Sequence, residues 1–494
     1  MSDIINSPLD FLTEHSLKSP GKCAIRINNI DYTYDMFSRE VGLFAKLFKS
    51  HGIGQGSLVA VYSDHEFDVL CTIFALWTIG AVCIPINPTY KTDKLQQIES
   101  TVRPDFGFYS VDYDITYDRQ YPMSLIEKSN EPGNVEVVHP KADDPAMIMF
   151  TSGTSGVPKA VPITHGAIAR NSLSTASRLG LTKEDVLFIN TPPYTTSSII
   201  HVLTMMSQGA QTVIDRSFLF GAAIIDKIEE HQCTCFGGVP IHFTRLLAAL
   251  EEKDAPKKLH KLINSGDHLS VPVLEKLQKL MPQAAMYCIY GLTEVAGRLC
   301  VLPPELVRSK SGSVGFPIEG MSVTIRGSKL ELLPAGETGE VFIQGPNLMK
   351  GYINNPEANE KSMTSVGFAT GDFGYLDSDG CLYLKGRKDD IFKVGGEKVS
   401  VKMIEEALVG YEEFADAMVA PEYDEHMGNY IPCLYYVLKK DATFSRKKLL
   451  GILRKRLPQN HIPTKFVELE EIPRTSSGKS IRKVPSPGQP LKQQ

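Results

Sequence analysis

Apolar and polar positions along this chain switch repeatedly between a period of two and a period near 3.6, and that switching predicts strands alternating with helices. Residues 57–62 (Ser57-Leu58-Val59-Ala60-Val61-Tyr62) read as a strand, 66–79 as a helix and 81–86 as the next strand. Upstream, Tyr32-Thr33-Tyr34-Asp35 reads as a cap on the amphipathic stretch 36–49. The rhythm resumes with the apolar run Met147-Ile148-Met149-Phe150 and a helix opening at His165. It continues through a strand at 186–189, Val213-Ile214, a helix at 220–231, a strand at 235–238 and an apolar run at 259–263. Such alternation implies mainly parallel sheets covered by helices.

From about residue 310 the pattern changes. Strand-like runs at 321–326, 340–344 and 381–384 are separated by Gly, Pro and Asp turns, which predicts a small β-rich subdomain over about 310–386. After the charged string Gly386-Arg387-Lys388-Asp389-Asp390, residues 391–494 carry helices of their own (402–408, 445–456) and strands (415–420, 431–438). The reading is therefore a large N-terminal α/β domain (1–386), a short connector (387–390) and a smaller α+β C-terminal domain (391–494) with a mobile Pro/Gln tail.

Composition narrows this further. A chain of 494 residues is too long for one ordinary core, and 42% hydrophobic with 22% charged residues is the balance of a soluble globular protein. A net charge of -5 gives no case for nucleic acid as a partner. The first residues lack the basic and apolar regions of a signal peptide, and no apolar run approaches the ~20 residues of a membrane span, so a cytoplasmic enzyme is expected. Nine cysteines, an odd number without a C-x-x-C pair, read as reduced thiols rather than disulfides or zinc ligands.

The chemistry begins directly after the apolar run 147–150. Thr151-Ser152-Gly153-Thr154-Ser155-Gly156-Val157-Pro158-Lys159 is nearly all hydroxyl and glycine, with one cation. Glycines let successive N–H groups turn toward one anion, so the loop suits phosphate, although such a run also suits a polar surface turn. It lacks the spacing of the P-loop NTPase motif. Tyr290-Gly291-Leu292-Thr293-Glu294 follows an apolar strand; a phenol ring can stack on a purine, and a carboxylate is a hard donor for Mg²⁺. Thr370-Gly371-Asp372 offers a turn carboxylate that could accept ribose hydroxyls. Near the C-terminus, Pro473-Arg474-Thr475-Ser476-Ser477-Gly478-Lys479 presents a lysine in a polar loop.

Taken in order, these strings resemble the motifs of the adenylate-forming superfamily, which includes acyl-CoA synthetases, peptide-synthetase adenylation domains and luciferases. The resemblance runs from roughly residue 10 to 483 and is strongest toward a stand-alone acyl- or aryl-CoA ligase. It implies activation of a carboxylic acid by MgATP to an acyl-adenylate, then thioester formation with CoA; a carrier-protein phosphopantetheine is the alternative acceptor. By that resemblance Thr151, Ser152, Gly153, Thr154, Ser155, Gly156 and Lys159 bind phosphate. Ser265 and Gly266 lie beside adenine. Tyr290, Gly291, Thr293, Asp372, Leu384 and Arg387 contact the nucleotide. Glu294 and Thr154 hold the metal, and Thr154, Glu294 and Lys479 serve catalysis. Asp389 is the hinge about which the small domain turns between half-reactions, and Gly396 lines the thiol path. A fixed cation such as Lys479 stabilises charge building at the α-phosphate more than it stabilises the ground state. A reading of another class is a nucleotide-binding module without catalysis.

One departure concerns the acid pocket, expected along Tyr194, Thr195, Gly237, Gly238, Val295 and Ala296. Many members of the superfamily carry an aromatic followed by His where this chain has Tyr194-Thr195. His201 and His242 are read as replacements for that histidine or, equally, as ordinary packed histidines. Gly237 and Gly238 are expected to leave space for a flat aryl or slim acyl group. Arg298 is expected to point outward, with pairing to a second carboxylate as the alternative. No early Asp is present to hold an α-ammonium, so an amino acid is disfavoured. The runs Arg446-Lys447-Lys448 and Arg454-Lys455-Arg456 are read as a solvated helix face, or as a surface for CoA phosphates or an acidic carrier.

Overall fold

In the computed structural model the described residues are 6–90, 92–110, 119–122, 137–151, 158–216, 223–387, 391–394, 397–408, 411–424, 429–474, 480 and 482. Two sheets carry the large domain. The first has six strands in the order Gln120–Pro122, Phe106–Tyr109, Leu58–Tyr62, Val82–Ile86, Pro145–Thr151 and Lys159–Thr164. Its pairs are parallel except the last, an antiparallel pair with Thr151 opposite Lys159. The hydroxyl-rich string therefore joins two strands of a hairpin instead of a strand and a helix. Trp77, the single tryptophan, is fully buried, and its Nε1 donates to the Ala146 carbonyl at 2.8 Å, which ties the helix Glu66–Thr78 to the strand leading into that loop.

The second sheet is built around parallel strands Cys23–Ile27, Gln211–Ile214, Val186–Ile189, Cys235–Gly238, Lys261–Asn264 and Ala285–Tyr290. Their near-continuous apolar character is what burial on both faces demands. Lys261 and Asp185 close an ion pair of 2.9 Å at the opposite ends of these strands from the predicted site strings. The β-rich segment is not a separate sheet. Its strands pair onward through Ser313–Pro317 and Cys300–Leu302 into Ala285–Tyr290, giving one 14-stranded assembly.

Within that segment a ten-residue strand, Gly367–Leu376, was not legible in the sequence pattern. Glycines at 367, 371 and 374 dilute its β character, yet Gly374 is required there: a Cβ would lie 2.2 Å from the Tyr383 carbonyl oxygen. Asp372, expected in a turn, sits in the middle of this strand.

Smaller elements follow Arg387. A hairpin of Ile391–Val394 and Glu397–Ser400 leads to the helix Val401–Leu408. Strands Phe414–Asp424, Asn429–Leu438 and Lys465–Glu468 form a three-stranded sheet. Val399, Val401, Ile404, Leu434, Leu449 and Leu453 make a core separate from that of the large domain. All nine cysteines are free, and all but Cys23 are buried, as expected of packed thiols. Among the described residues no helix is long and apolar enough to cross a membrane.

Candidate active site

Parallel strands Val186–Ile189, Cys235–Gly238, Lys261–Asn264 and Ala285–Tyr290 run the same way, and each ends in or soon leads to residues singled out above. Open α/β sheets bind ligands in the crevice beyond such carboxyl ends. Three groups of side chains occupy it.

The first group gathers on Asp372. The Tyr290 hydroxyl donates to Asp372 Oδ2, and Arg387 Nε donates to Oδ1 at 3.2 Å. Asp372 and Arg387 face each other as a register pair of adjacent antiparallel strands, and Tyr290 ends the strand Ala285–Tyr290, separated from that pair by two strands in the sheet order. Burial, and then the charge of Asp372, push the Tyr290 phenol well above its ordinary value, so it stays a donor. Three residues assigned to the nucleotide from three separate strings thus meet at one carboxylate. Nearby, Leu384 offers its carbonyl to Lys402 Nζ at 2.7 Å.

The second group centres on Glu294, which is 9% exposed. Its Oε1 accepts from the Tyr352 hydroxyl at 2.8 Å, and Lys159 Nζ lies 5.0 Å above the Tyr352 ring. Tyr352 links the metal-ligand candidate to the phosphate-loop lysine. Nothing in the spacing of Gly351-Tyr352 signals this; the link arises because residues 345–353 cross the Lys159–Thr164 strand, with Ile353 N donating to Ala160 and Met349 N to Glu294. Thr293 Oγ1 lies 3.4 Å from Thr196 Oγ1. Gly291 is needed for the chain to fold back on itself: a Cβ would lie 1.8 Å from the Gly297 carbonyl oxygen. Glu294 leaves Oε2 for a cation, and among the described residues no three acidic, His or Cys side chains cluster. That donor set fits Mg²⁺ carried on nucleotide phosphates and held by one protein carboxylate.

The third group lines the acid end. Tyr194 is buried, and Thr195 caps the helix Thr196–Met206, its Oγ1 accepting from Ser198 N and donating to the Pro192 carbonyl. The threonine at the expected histidine position is therefore a helix cap. Val295 and Ala296 are buried, and Ala296 adopts φ +60 in the turn that ends the 3-10 segment.

Gly237 and Gly238 do not leave open space. A Cβ at Gly237 would lie 3.2 Å from Leu187 and Ile189 and 3.3 Å from His201; one at Gly238 would lie 2.7 Å from His242 Nδ1. The room their missing side chains vacate is taken by these neighbours. Burial, with lesser contributions from Arg245 and Arg474, lowers the His242 imidazole to about 4.

Arg298 points inward, not outward. It is 3% exposed, Nη1 donates to Ser197 Oγ at 3.2 Å and Nη2 to the Ser197 carbonyl at 3.3 Å. Burial lowers it to about 10. Ser197 Oγ in turn lies 3.3 Å from Ser265 Oγ, next to Gly266 at φ +87. Ser197 and His201 lie on the helix Thr196–Met206, beside the expected pocket positions Tyr194 and Thr195.

Across from these groups, residues of the small domain touch the large one. Glu406 Oε1 lies 3.5 Å from His268 Nε2, and Ser400 Oγ donates to the Lys385 carbonyl at 3.2 Å. The basic run is partly engaged at home: Lys448 pairs with Glu413, Arg446 lies over Phe466, and Arg456 donates to Ala407. Ser152, Gly153, Thr154, Ser155, Gly156, Asp389, Gly396 and Lys479 lie outside the described residues.

The family model for AMP-binding enzymes matches residues 12–353, and that for the AMP-binding enzyme C-terminal domain matches 403–479. The chain belongs to the AMP-binding enzymes. A 2-succinylbenzoate–CoA ligase of Bacillus velezensis is 28% identical over 480 residues, 96% of each chain. The o-succinylbenzoate CoA synthetase of Bacillus subtilis with its acyl-adenylate superposes with TM-score 0.85 at 25% identity, covering 96% of each chain. The same synthetase with ATP and magnesium gives TM-score 0.85 at 25% identity over 96% of this chain and 98% of that one. The expected architecture holds, a large α/β domain followed by a smaller α+β one. So does the expected activity: this AMP-binding enzyme is an ATP-dependent acid–CoA ligase, using ATP, Mg²⁺ and CoA.

Proposed function

We propose that the three groups divide the ligase reaction among them. Asp372 receives the ribose hydroxyls, with Tyr290 and Arg387 holding its carboxylate in place. Glu294 holds Mg²⁺ on the phosphates, and Tyr352 fixes the rotamer of Glu294. Lys159, Thr151 and the loop between them grip the phosphates that leave. Lys479 neutralises charge as the acid's carboxylate oxygen attacks the α-phosphorus and pyrophosphate departs. Mg²⁺ supplies charge neutralisation on the phosphate oxygens when bound; the protein groups orient the nucleotide and exclude water.

In the second half, the thiol of CoA attacks the acyl carbon, AMP leaves, and the thiol proton goes to solvent. The small domain turns about Asp389 between halves and brings Gly396 to the thiol path. A cytoplasmic setting is supported by nine free cysteines, eight of them buried.

The observation that carries this assignment is the convergence of Tyr290 and Arg387 on Asp372. The test is to assay ATP–pyrophosphate exchange and thioester formation separately on Asp372→Ala and Glu294→Ala. Weakened ATP binding in the first and a raised Mg²⁺ requirement in the second are expected. Equal ATP affinity and an unchanged Mg²⁺ optimum in both would remove the roles. Thioester formation on a carrier-protein phosphopantetheine faster than on CoA would change the acceptor.

A further inference from the structure

We propose that the acid pocket is built for a dicarboxylic acid, whose distal carboxylate is received by Arg298 with His201 beside it. This rests on the ligase reading of the site and names its substrate class.

Among the described residues Arg298 is a buried cation without an anion. Elsewhere in the fold Lys261, also buried, sits 2.9 Å from Asp185. Among the described residues no Asp or Glu lies within ion-pair distance of Arg298; its contacts are the hydroxyl and carbonyl of Ser197, and its Nε is buried with no acceptor. Buried charges are ordinarily paired, because desolvating a lone guanidinium costs far more than neutral hydrogen bonds return.

Its surroundings make the position worse for a cation standing alone. Ser197 belongs to the first turn of the eleven-residue helix Thr196–Met206, whose N-terminal end carries partial positive charge. Two sources of positive potential therefore meet at one buried point. One turn further along the same helix, His201 is 4% exposed and its Nε2 has no partner. Burial first, and Arg298 second, hold this imidazole neutral, so it can donate one hydrogen bond to an anion.

The backbone that carries Arg298 is held in place. Asn171 clamps its backbone on both sides, accepting from Arg298 N at 3.2 Å and donating to its carbonyl at 2.7 Å. Asn171 Nδ2 also donates to the Val295 carbonyl at 3.0 Å, which links the clamp to the turn after Glu294. Arg298 thus stands four residues beyond the metal-ligand candidate, and the Cε1 of His201 lies 3.3 Å from the Cβ position of Gly237. One carboxylate of the substrate would meet the α-phosphate near Glu294 and Thr293, while the other meets the guanidinium deeper in the pocket. The planar fork of arginine, with Nε and one Nη directed alike, suits a carboxylate.

The test uses matched pairs: succinate, phthalate and 2-succinylbenzoate, each beside the monoamide that replaces one carboxylate by a neutral carboxamide. Thioester formation is followed at saturating ATP and CoA. The proposal expects at least one diacid to exceed its monoamides by a hundredfold or more in kcat/KM. Arg298→Gln should then collapse that ratio toward one, mainly by raising KM for the diacid while KM for ATP holds, and Arg298→Lys should restore part of it. Monocarboxylic acids such as benzoate or butyrate turned over as well as the diacids by the native enzyme would overturn the proposal and leave the ligase reading intact. So would an Arg298→Gln loss equal for both members of a pair, the mark of a packing strut. Turnover of no acid of either kind would overturn the ligase reading and this inference together. The native-enzyme comparison decides even where the variant does not fold.

Discussion

The Tyr352 hydroxyl and the Glu294 carboxylate, 58 residues apart in sequence, meet at 2.8 Å, with the Lys159 ammonium above the same ring. This one phenol joins the strand after the phosphate loop, the turn that carries the metal-ligand candidate and the segment crossing between them. Tyr352→Phe keeps the ring under Lys159 and removes only the hydrogen bond. A bond to a charged acceptor is worth about 1.5–3 kcal/mol, so turnover should fall roughly ten- to hundredfold with little change in KM for ATP. Titrating Mg²⁺ in the pyrophosphate-exchange assay checks it: the half-saturating Mg²⁺ concentration should rise. An unchanged titration would mean that Tyr352 does not position Glu294.

Gly238 was expected to open the pocket, and His242 instead fills the space beside it. Even a methyl group there meets His242 Nδ1 at 2.7 Å. Gly238→Ala should therefore weaken every acid substrate and cost about 1–3 kcal/mol of stability, as overpacking does. Adding His242→Ala should recover stability and admit larger acids. A double-mutant cycle on urea unfolding measures this, and additive effects would show that the two positions do not press on each other.

The acid dependence of stability has a definite sign. Burial lowers His165 to about 4 and His242 to about 4, against an ordinary value near 6.5. For a base depressed in the folded state, the unfolded chain binds the proton first as pH falls. The stability is then fully present above about 6.5 and is lost progressively down to about 4. Each such histidine accounts for about 3 kcal/mol over that window. His165 Nδ1 lies 2.9 Å from Ser7 Oγ, and its ring stands edge-on to Trp77, so His165→Gln keeps a polar group in place. Urea unfolding between pH 7 and 4.5 should show a slope shallower by about one proton in the variant. A slope identical to that of the native enzyme would remove His165 from the account.

Much of this fold was readable from period and motif because parallel strands buried on both faces announce themselves as short apolar runs. The strands at 58–62, 82–86, 186–189 and 235–238 came out within a residue of their observed limits. The strand Gly367–Leu376 did not, since its glycines answer to close backbone crossings that exist only in the folded sheet. The same holds at the site. Tyr290, Glu294, Asp372 and Arg387 could be picked out because each stands in a recognisable string. Tyr352 meets the Glu294 string across the fold, and no local spacing marks it. Arg298 was visible as a residue, but its direction was not: whether an arginine beside a turn faces solvent depends on Asn171, well over a hundred residues upstream, gripping its backbone.

The last prediction concerns how the small domain is seated. Lys402 Nζ donates to the Leu384 carbonyl at 2.7 Å, Ser400 to Lys385, and Glu406 faces His268. Leu384 and Lys385 belong to the final strand of the large sheet, so a rotation about Asp389 that carries residues 391 onward must break all three contacts. Lys402→Met removes the shortest of them while keeping an apolar stem of similar length. If this seating belongs to acid activation, the variant should lose pyrophosphate exchange by roughly ten- to hundredfold, the weight of one charged hydrogen bond. Conversion of preformed acyl-adenylate to thioester should hold or improve. Lys479→Ala should likewise abolish exchange and spare the second step, whereas Gly396→Leu should spare exchange and block thioester formation by obstructing the thiol. Assaying both half-reactions on the three variants decides the matter. Lys402→Met and Lys479→Ala failing at the step that Gly396→Leu also loses would mean that one domain arrangement serves both halves of the reaction.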